Sequence, residues 1–355
     1  MNKKRIHYLD NLRWITVWLV VLFHVINIFS STGEVGHYKA PGIPQLDMIG
    51  YFVYPWFMAL LFIISGICAR QALSVRTDKE FVKERTKRLL IPFVLYMLLF
   101  SVPTSAFSFT VLDGWSDFAA VPKPVLVVIM FCIGMGHAWF LLELYCISLI
   151  FIPLKNLINK LKIPFEKTGI LALLLFMIPL YFSAQVLNLL EVFRNIFYLL
   201  LFLLGYFVIS EQSVQERLER YKYPLLIVAL ALYIPQGLQS MGHGFAVSAK
   251  SPLAVAYGYT MCLALIGIGK SFLNFKNKFT NYMLKRSFWV YLFHYLPMLI
   301  IAYLTVEYLH CPVWSRYPVV LVLTIIASLL ISDVLYRISR LMKRKRADHD
   351  VSAKI

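Results

Sequence analysis

The sequence predicts an all-α fold: a polytopic membrane bundle of about ten transmembrane helices, with both termini in the cytoplasm. Three observations lead there. Of the 355 residues, 60% are hydrophobic and only 15% charged, with a mean hydropathy of +0.71, whereas soluble chains hold about 45–50% apolar and about 25% charged residues. Apolar runs of roughly 20 residues, the length that carries a helix across the hydrocarbon core, recur along the whole chain. Finally, the lysines and arginines crowd the loops that one alternating topology puts on a single side.

The elements follow in order. The first run, near 12–30, is followed by "NIFSSTGEVGHY"; with no small-residue cleavage site there, the run is expected to stay as a helix. The second lies near 50–70, and the third near 89–107 is entered through the charged stretch "FVKERTKR". Residues 121–135, "VPKPVLVVIMFCIGM", are apolar but short, opened by two prolines and closed by "GMGH". They read as a re-entrant or interfacial piece, with an eleventh span as the alternative. Further runs fall near 138–154, 168–186, 193–210, 223–238, 252–270, 287–307 and 316–338. Pro179 and Pro297 lie inside such runs and predict kinks, which membrane helices tolerate when neighbours re-satisfy the backbone.

With ten spans and an inner N-terminus, all of the 35 Lys and Arg except Lys39, Lys123, Arg194, Lys250 and Arg316 fall on the inner side or at inner helix ends. An eleven-span chain would break this alternation after the third span. The net charge of +17 follows from that asymmetry and calls for no nucleic-acid partner; the partner it implies is the lipid bilayer. Residues 1–342 read as one integral membrane domain and 343–355 as a basic cytoplasmic tail, with "RLMKRKR" suited to lipid headgroups. Every loop is short, so no soluble domain is expected among them. The five cysteines show neither metal nor disulfide spacing, and no metal site is expected.

Ionisable residues inside spans are costly and mark function by default. In "RWITVWLVVLFH", Arg13 and His24 are eleven positions apart, which returns both to within about 20° of one helix face and separates them by about 16 Å along the axis. Arg13 falls at the cytoplasmic edge, where a snorkelling anchor would look the same, and Asp10 is placed to pair with it. His24 falls deeper, with Asn27 one turn further out. A neutral imidazole suits a general base near pH 7, although a helix-packing contact would also use one.

On the inner side, Arg85 and Arg88 share one helix face, with Lys83 and Lys87 nearby. They form a positive-inside belt that could equally hold phosphates, which arginine binds bidentately. His137 and Trp139 open the fourth span at the outer interface, where tryptophan is ordinary. Glu143 lies about two turns in and needs a partner from another helix. His294, in "SFWVYLFHYLPM", fits helix–helix hydrogen bonding, and Asp333 is a lone acid without an assignable role.

Taken in order, these stretches resemble the acyltransferase-3 family of integral membrane acyltransferases. "LDNLRWITVWLVVLFH" is similar to its first-span signature, and "MALLFIISGICAR" to its second-span phrase with Ser65 and Gly66. "KERTKRLLIP" resembles the Arg-x-x-Arg entry to the third span, and "GHAWFLLELY" and "YLFHYLPM" match later landmarks. The wording is closest to the glucan biosynthesis protein C branch, whose members modify periplasmic glucans with succinyl groups. "WFLLEL" departs from the acidic phrase of the peptidoglycan O-acetyltransferase branch, with Glu143 one residue off, so no role is carried over to it.

The resemblance implies an acyltransferase of a bacterial-type inner membrane. It would move an acetyl or succinyl group from cytoplasmic acyl-CoA, a co-substrate rather than a cofactor, to a hydroxyl of an extracytoplasmic glycan or glycolipid. His24 and Arg13 would be catalytic, and Arg85 and Arg88 would hold the donor. Asn27, Ser65, Trp139, Glu143 and His294 would line or support the path. Any second transfer step would need another protein, since some relatives carry an extracytoplasmic esterase-like domain that this sequence does not show. From other classes, a transporter or flippase for a glycan-linked or acylated lipid would suit the same spans. So would a non-catalytic partner in polysaccharide assembly.

Overall fold

Apolar helices with no polar face must bury their backbone bonds within themselves, and this chain does so almost throughout. The computed structural model describes residues 6–32, 42–111, 115, 118–189 and 193–352. The first helix, α1 (His7–Ile28), packs along α2 (Pro44–Leu73), which starts with a proline at its first turn and holds Pro55 inside. A third helical stretch, α3 (Asp78–Val111), opens on a capping box between Thr77 and Glu80 and widens at two π turns, Thr86–Leu90 and Met97–Ser101. The short α4 (Lys123–Ile133) precedes α5 (Gly136–Lys160).

Two short helices follow, α6 (Ile170–Leu175) and α7 (Met177–Ser183). A two-residue antiparallel ladder, Asn188–Leu189 with Phe193–Arg194, then leads into α8 (Asn195–Ile209). The remaining helices are α9 (Gln212–Arg220), α10 (Lys222–Ser240), α11 (Phe245–Ser248), α12 (Pro252–Phe272), α13 (Lys278–Phe293), α14 (Tyr295–Tyr308) and α15 (Val313–Ser352).

By length and composition, seven of the described helices can cross a membrane, or up to nine if each of two bent pairs is one span. The chain is therefore an all-helical, multi-pass membrane protein. Where ten spans are expected, the shortfall has a local cause. The fifth expected run, 168–186, is two short helices that meet at Phe176, and Pro179 in the first turn of α7 leaves the carbonyl of Leu175 without its helical donor. Residues 121–135, outside the ten expected spans, hold α4, too short to cross unaided. α8 turns by 98° into α9, whose charged sequence "QSVQERLER" cannot lie in hydrocarbon and instead packs Val214 and Leu218 across the bundle end. The second bend, 61°, falls at His294 between α13 and α14, three residues before Pro297. α15 continues unbroken through the expected tail boundary at 342. Lys39 and the tail's basic side chains lie outside the described set.

The centre of the bundle is α2, apolar on every face and the most thoroughly buried of the long helices. It crosses α8 closely because both helices offer glycine at the contact. A Cβ on Gly66 would stand 2.1 Å from the carbonyl oxygen of Phe202, and one on Gly205 would stand 2.2 Å from that of Ile63. This is the small-residue crossing that lets membrane helices approach backbone to backbone.

Polar bonds gather at the two ends of the bundle. At the basic end, Asn11 Nδ2 donates to the carbonyls of Leu273 (2.7 Å) and Phe275 (2.9 Å), and Tyr8 donates to Gln215. Arg70 pairs with Glu211 there, and Lys155 with Asp78. Asp333 has a partner after all: Arg286 Nε donates to it at 2.7 Å and the Tyr282 hydroxyl at 2.9 Å. At the opposite end, the backbone N–H and hydroxyl of Ser31 donate to Asp47, Tyr51 donates to the His243 carbonyl, and Tyr317 to that of Phe29.

Candidate active site

A cavity of about 790 Å³ opens at the end opposite the basic one. α1 gives it Val20, Phe23, His24 and Asn27, and α2 gives Tyr54 and Phe57. The start of α5 adds His137 and Trp139, and the exposed Gly242–His243 turn forms its rim. Rings from distant elements meet on the wall: Phe23 packs edge-on to Phe245 at 5.3 Å and tilted against Tyr54 at 4.9 Å.

Three histidines converge behind and beside this wall. His24, half-buried, has its ring 5.1 Å from that of His294 and 6.4 Å from that of His137, and the latter two rings are 4.9 Å apart. His24 Nδ1 lies 2.8 Å from the Val20 carbonyl one turn earlier and 3.3 Å from His294 Nε2. His294 is fully buried, with Nδ1 2.8 Å from the Tyr291 carbonyl and 3.1 Å from that of Val290. His137 Nε2 donates to the Leu292 carbonyl at 2.9 Å, and the Tyr291 hydroxyl donates to the carbonyl of His137. Tyr295 stacks on His137 at 5.1 Å and meets His24 edge-on at 5.4 Å.

The other expected residues separate into two groups. Asn27 and Trp139 share the cavity with His24. Ser65 is buried inside α2 beside the Gly66 crossing, off the cavity wall. Glu143 is buried in α5 and accepts from Asn195 Nδ2 at 2.6 Å, the partner from another helix that its depth demands.

Arg13 stands at the far end of α1. Its guanidinium donates to Cys68 Sγ at 3.2 Å and lies 3.5 Å from Asp10. Arg85 lies over the Phe81 ring at 4.9 Å, within electrostatic range of Arg13 and Cys68. Arg88 points elsewhere, 75% exposed and paired with Glu84 at 2.7 Å. The structure thus brings His24 to His294, places Arg13 and Arg85 within electrostatic range of one another at the other end, and keeps the two groups apart.

His137 is the residue that sequence reasoning passed over as part of a site. Nothing in its spacing connects it to His24, because the link is the bend at His294 that returns α13 to the start of α5. The rim residue His243 carried no signal of its own either.

This pairing of a basic end with a histidine cavity can be set beside known proteins. A family profile described as "Acyltransferase domain" matches residues 6–336. The chain is similar to proteins called glucans biosynthesis protein C. In Salmonella schwarzengrund (strain CVM19633), Salmonella typhi and Salmonella typhimurium the identity is 23% over 336 residues, covering 85% of this chain and 84% of each relative. No solved structure matches the chain. Over nearly its whole length, then, the chain belongs to the acyltransferase-3 family of membrane acyltransferases.

Proposed function

We propose that this membrane acyltransferase takes an acetyl or succinyl group from a cytoplasmic acyl-CoA and transfers it to a hydroxyl of an extracytoplasmic glycan or glycolipid. The observation that carries the reading is the position of His24. It sits on the wall of a cavity that opens at the end of the bundle opposite the arginines. The positive-inside rule assigns the arginine end to the cytoplasm and the cavity mouth to the outside of a bacterial-type inner membrane. The cavity wall is rich in aromatic rings, which suit the C–H faces of a sugar ring, and carries imidazole, amide and tyrosine hydroxyl groups among them that suit its hydroxyls.

The chemistry divides along α1. Arg13 and Arg85 lie on the same side of the bundle within electrostatic range of one another, each with one acid near it, Asp10 and Glu84; guanidinium groups there suit the donor's phosphates. The pantetheine arm then extends along the bundle towards the cavity. There the acceptor hydroxyl gives its proton to His24 as its oxygen bonds to the thioester carbonyl carbon. The resulting tetrahedral centre collapses, the C–S bond breaks, and the proton on His24 goes to the departing CoA thiolate. Ester and free CoA are the products.

The test uses the purified full-length chain in proteoliposomes with acetyl-CoA and succinyl-CoA, reading free CoA thiol with and without candidate glycans. Acceptor-dependent thiol release, with a matching mass gain on the glycan, is expected. If a labelled glycan-lipid crosses the membrane while the thioester is never consumed, the donor and acceptor assignment fails and transport takes its place.

A further inference from the structure

The carbonyls around the cavity fix where the histidine protons sit. A carbonyl oxygen only accepts, so His24 Nδ1, 2.8 Å from the Val20 oxygen, carries the proton of the neutral ring, and Nε2 keeps the lone pair. His294 is determined in the same way. Its Nδ1 faces the carbonyls of Tyr291 and Val290 and must be the N–H, which leaves Nε2 as an acceptor. That acceptor lies 3.3 Å from His24 Nδ1. The single N–H of His24 is therefore shared between Val20 and His294. The opposite tautomer would turn a lone pair towards two acceptors and satisfy neither.

We infer that His294 is a positioning residue for the transfer. The Val20 carbonyl already accepts the helical N–H of His24 and does not hold the ring by itself. His294 supplies the second acceptor that keeps His24 in the tautomer whose Nε2 is the base, and it accepts the Nδ1–H bond of the imidazolium that forms when the hydroxyl gives up its proton. The inference rests on the proposed role of His24. The usual group in this place is a carboxylate behind the imidazole. At this depth a carboxylate would be an unscreened anion in the apolar interior, which is costly; a neutral imidazole supplies the acceptor without the charge. Its placement follows from the bend between α13 and α14. The imidazole folds back onto the last turn of α13, fully buried, so water does not compete for either nitrogen.

The experiment uses the full-length chain in nanodiscs, labelled with 15N-histidine, with His24→Gln serving to assign the His24 signals. In the unmutated chain His24 is expected as one tautomer, unprotonated at Nε2. His294→Leu and His294→Phe both remove the acceptor. Either should give a mixture of His24 tautomers and lower kcat on the order of 10²-fold, with the donor KM unchanged. His294→Gln, whose amide oxygen reaches the place of Nε2, should keep the single tautomer and stay within about tenfold of the unmutated kcat. A single His24 tautomer retained in a folded acceptor-free variant overturns the inference, as does a mixture in His294→Gln. The tautomer is read without turnover, so this failure is distinct from failure of the base assignment. Full activity in His24→Gln would remove the base and with it the step that His294 is inferred to support.

Discussion

The two ends of α1 solve opposite problems. At the Arg13 end the groups are charged, partly exposed and held by long flexible stems, and their nearest partners are one acid, one thiol and another cation. At the His24 end, eleven positions on, the groups are neutral, and each ring nitrogen that bonds within the protein meets a carbonyl or another ring. On the proposed reading, one end attracts an anion through water by net charge, and the other orients a proton acceptor by short-range geometry. Charge tolerates displacement and geometry does not, so substitutions at the two ends should differ in both kind and size.

The largest effect belongs to the neutral end. His24→Gln keeps a hydrogen-bonding side chain but cannot take up the proton, and should lower acyl transfer by about 10² to 10⁴. Expression, insertion and donor affinity should stay unchanged. Steady-state kinetics with the donor varied separates the two parameters. A well-inserted His24→Gln that transfers at the unmutated rate would make the imidazole a packing contact and erase the contrast between the ends.

Next in size is Arg85→Ala at the charged end. Losing a guanidinium that bonds a phosphate removes about 1.5–3 kcal/mol, so the donor KM should rise about 10- to 10²-fold while kcat with saturating donor holds. Arg85→Lys should recover only part of this, because a point charge cannot reproduce the planar fork. Added salt should raise the donor KM and leave kcat alone. A fall in kcat at an unchanged KM would place Arg85 in the chemistry and break the division.

How much of this was legible in the sequence follows the same contrast. Composition and run length made the membrane bundle plain, since hydrocarbon demands long apolar helices. The break at Phe176 and the turn of α8 into α9 were hidden, because hydropathy counts apolar residues without registering where the backbone leaves the membrane normal. The stripe carrying Arg13 and His24 was readable because both lie on one helix with a fixed period. The meeting of His24 with His294 and His137 was not. Those residues are 270 and 113 positions away, and only tertiary packing at the α13–α14 bend brings them together. Asp333 and Glu143 stood alone in sequence for the same reason: Arg286 and Asn195 lie on other helices.

The smallest effect is the sharpest test of what structure adds to spacing. Arg85 and Arg88 share a helix face by sequence, and a motif alone would weigh them equally. In the fold they part. Arg85 lies over Phe81, within electrostatic range of Arg13, while Arg88 stands 75% exposed against Glu84. Glu84 also holds Arg76 at 2.8 Å, so deleting Arg88 leaves that carboxylate paired. An exposed pair one turn apart contributes about 0.3–0.5 kcal/mol, and Arg88→Ala should therefore change stability and donor KM by no more than about twofold. The double variant with Arg85→Ala should stay within about twofold of Arg85→Ala alone, because the exposed Arg88 adds little even though Glu84 lies near both arginines. If instead Arg88→Ala raises the donor KM as far as Arg85→Ala does, the two arginines close together on the donor. The basic end would then be a two-pronged clamp set by the motif, not by the placement of one residue.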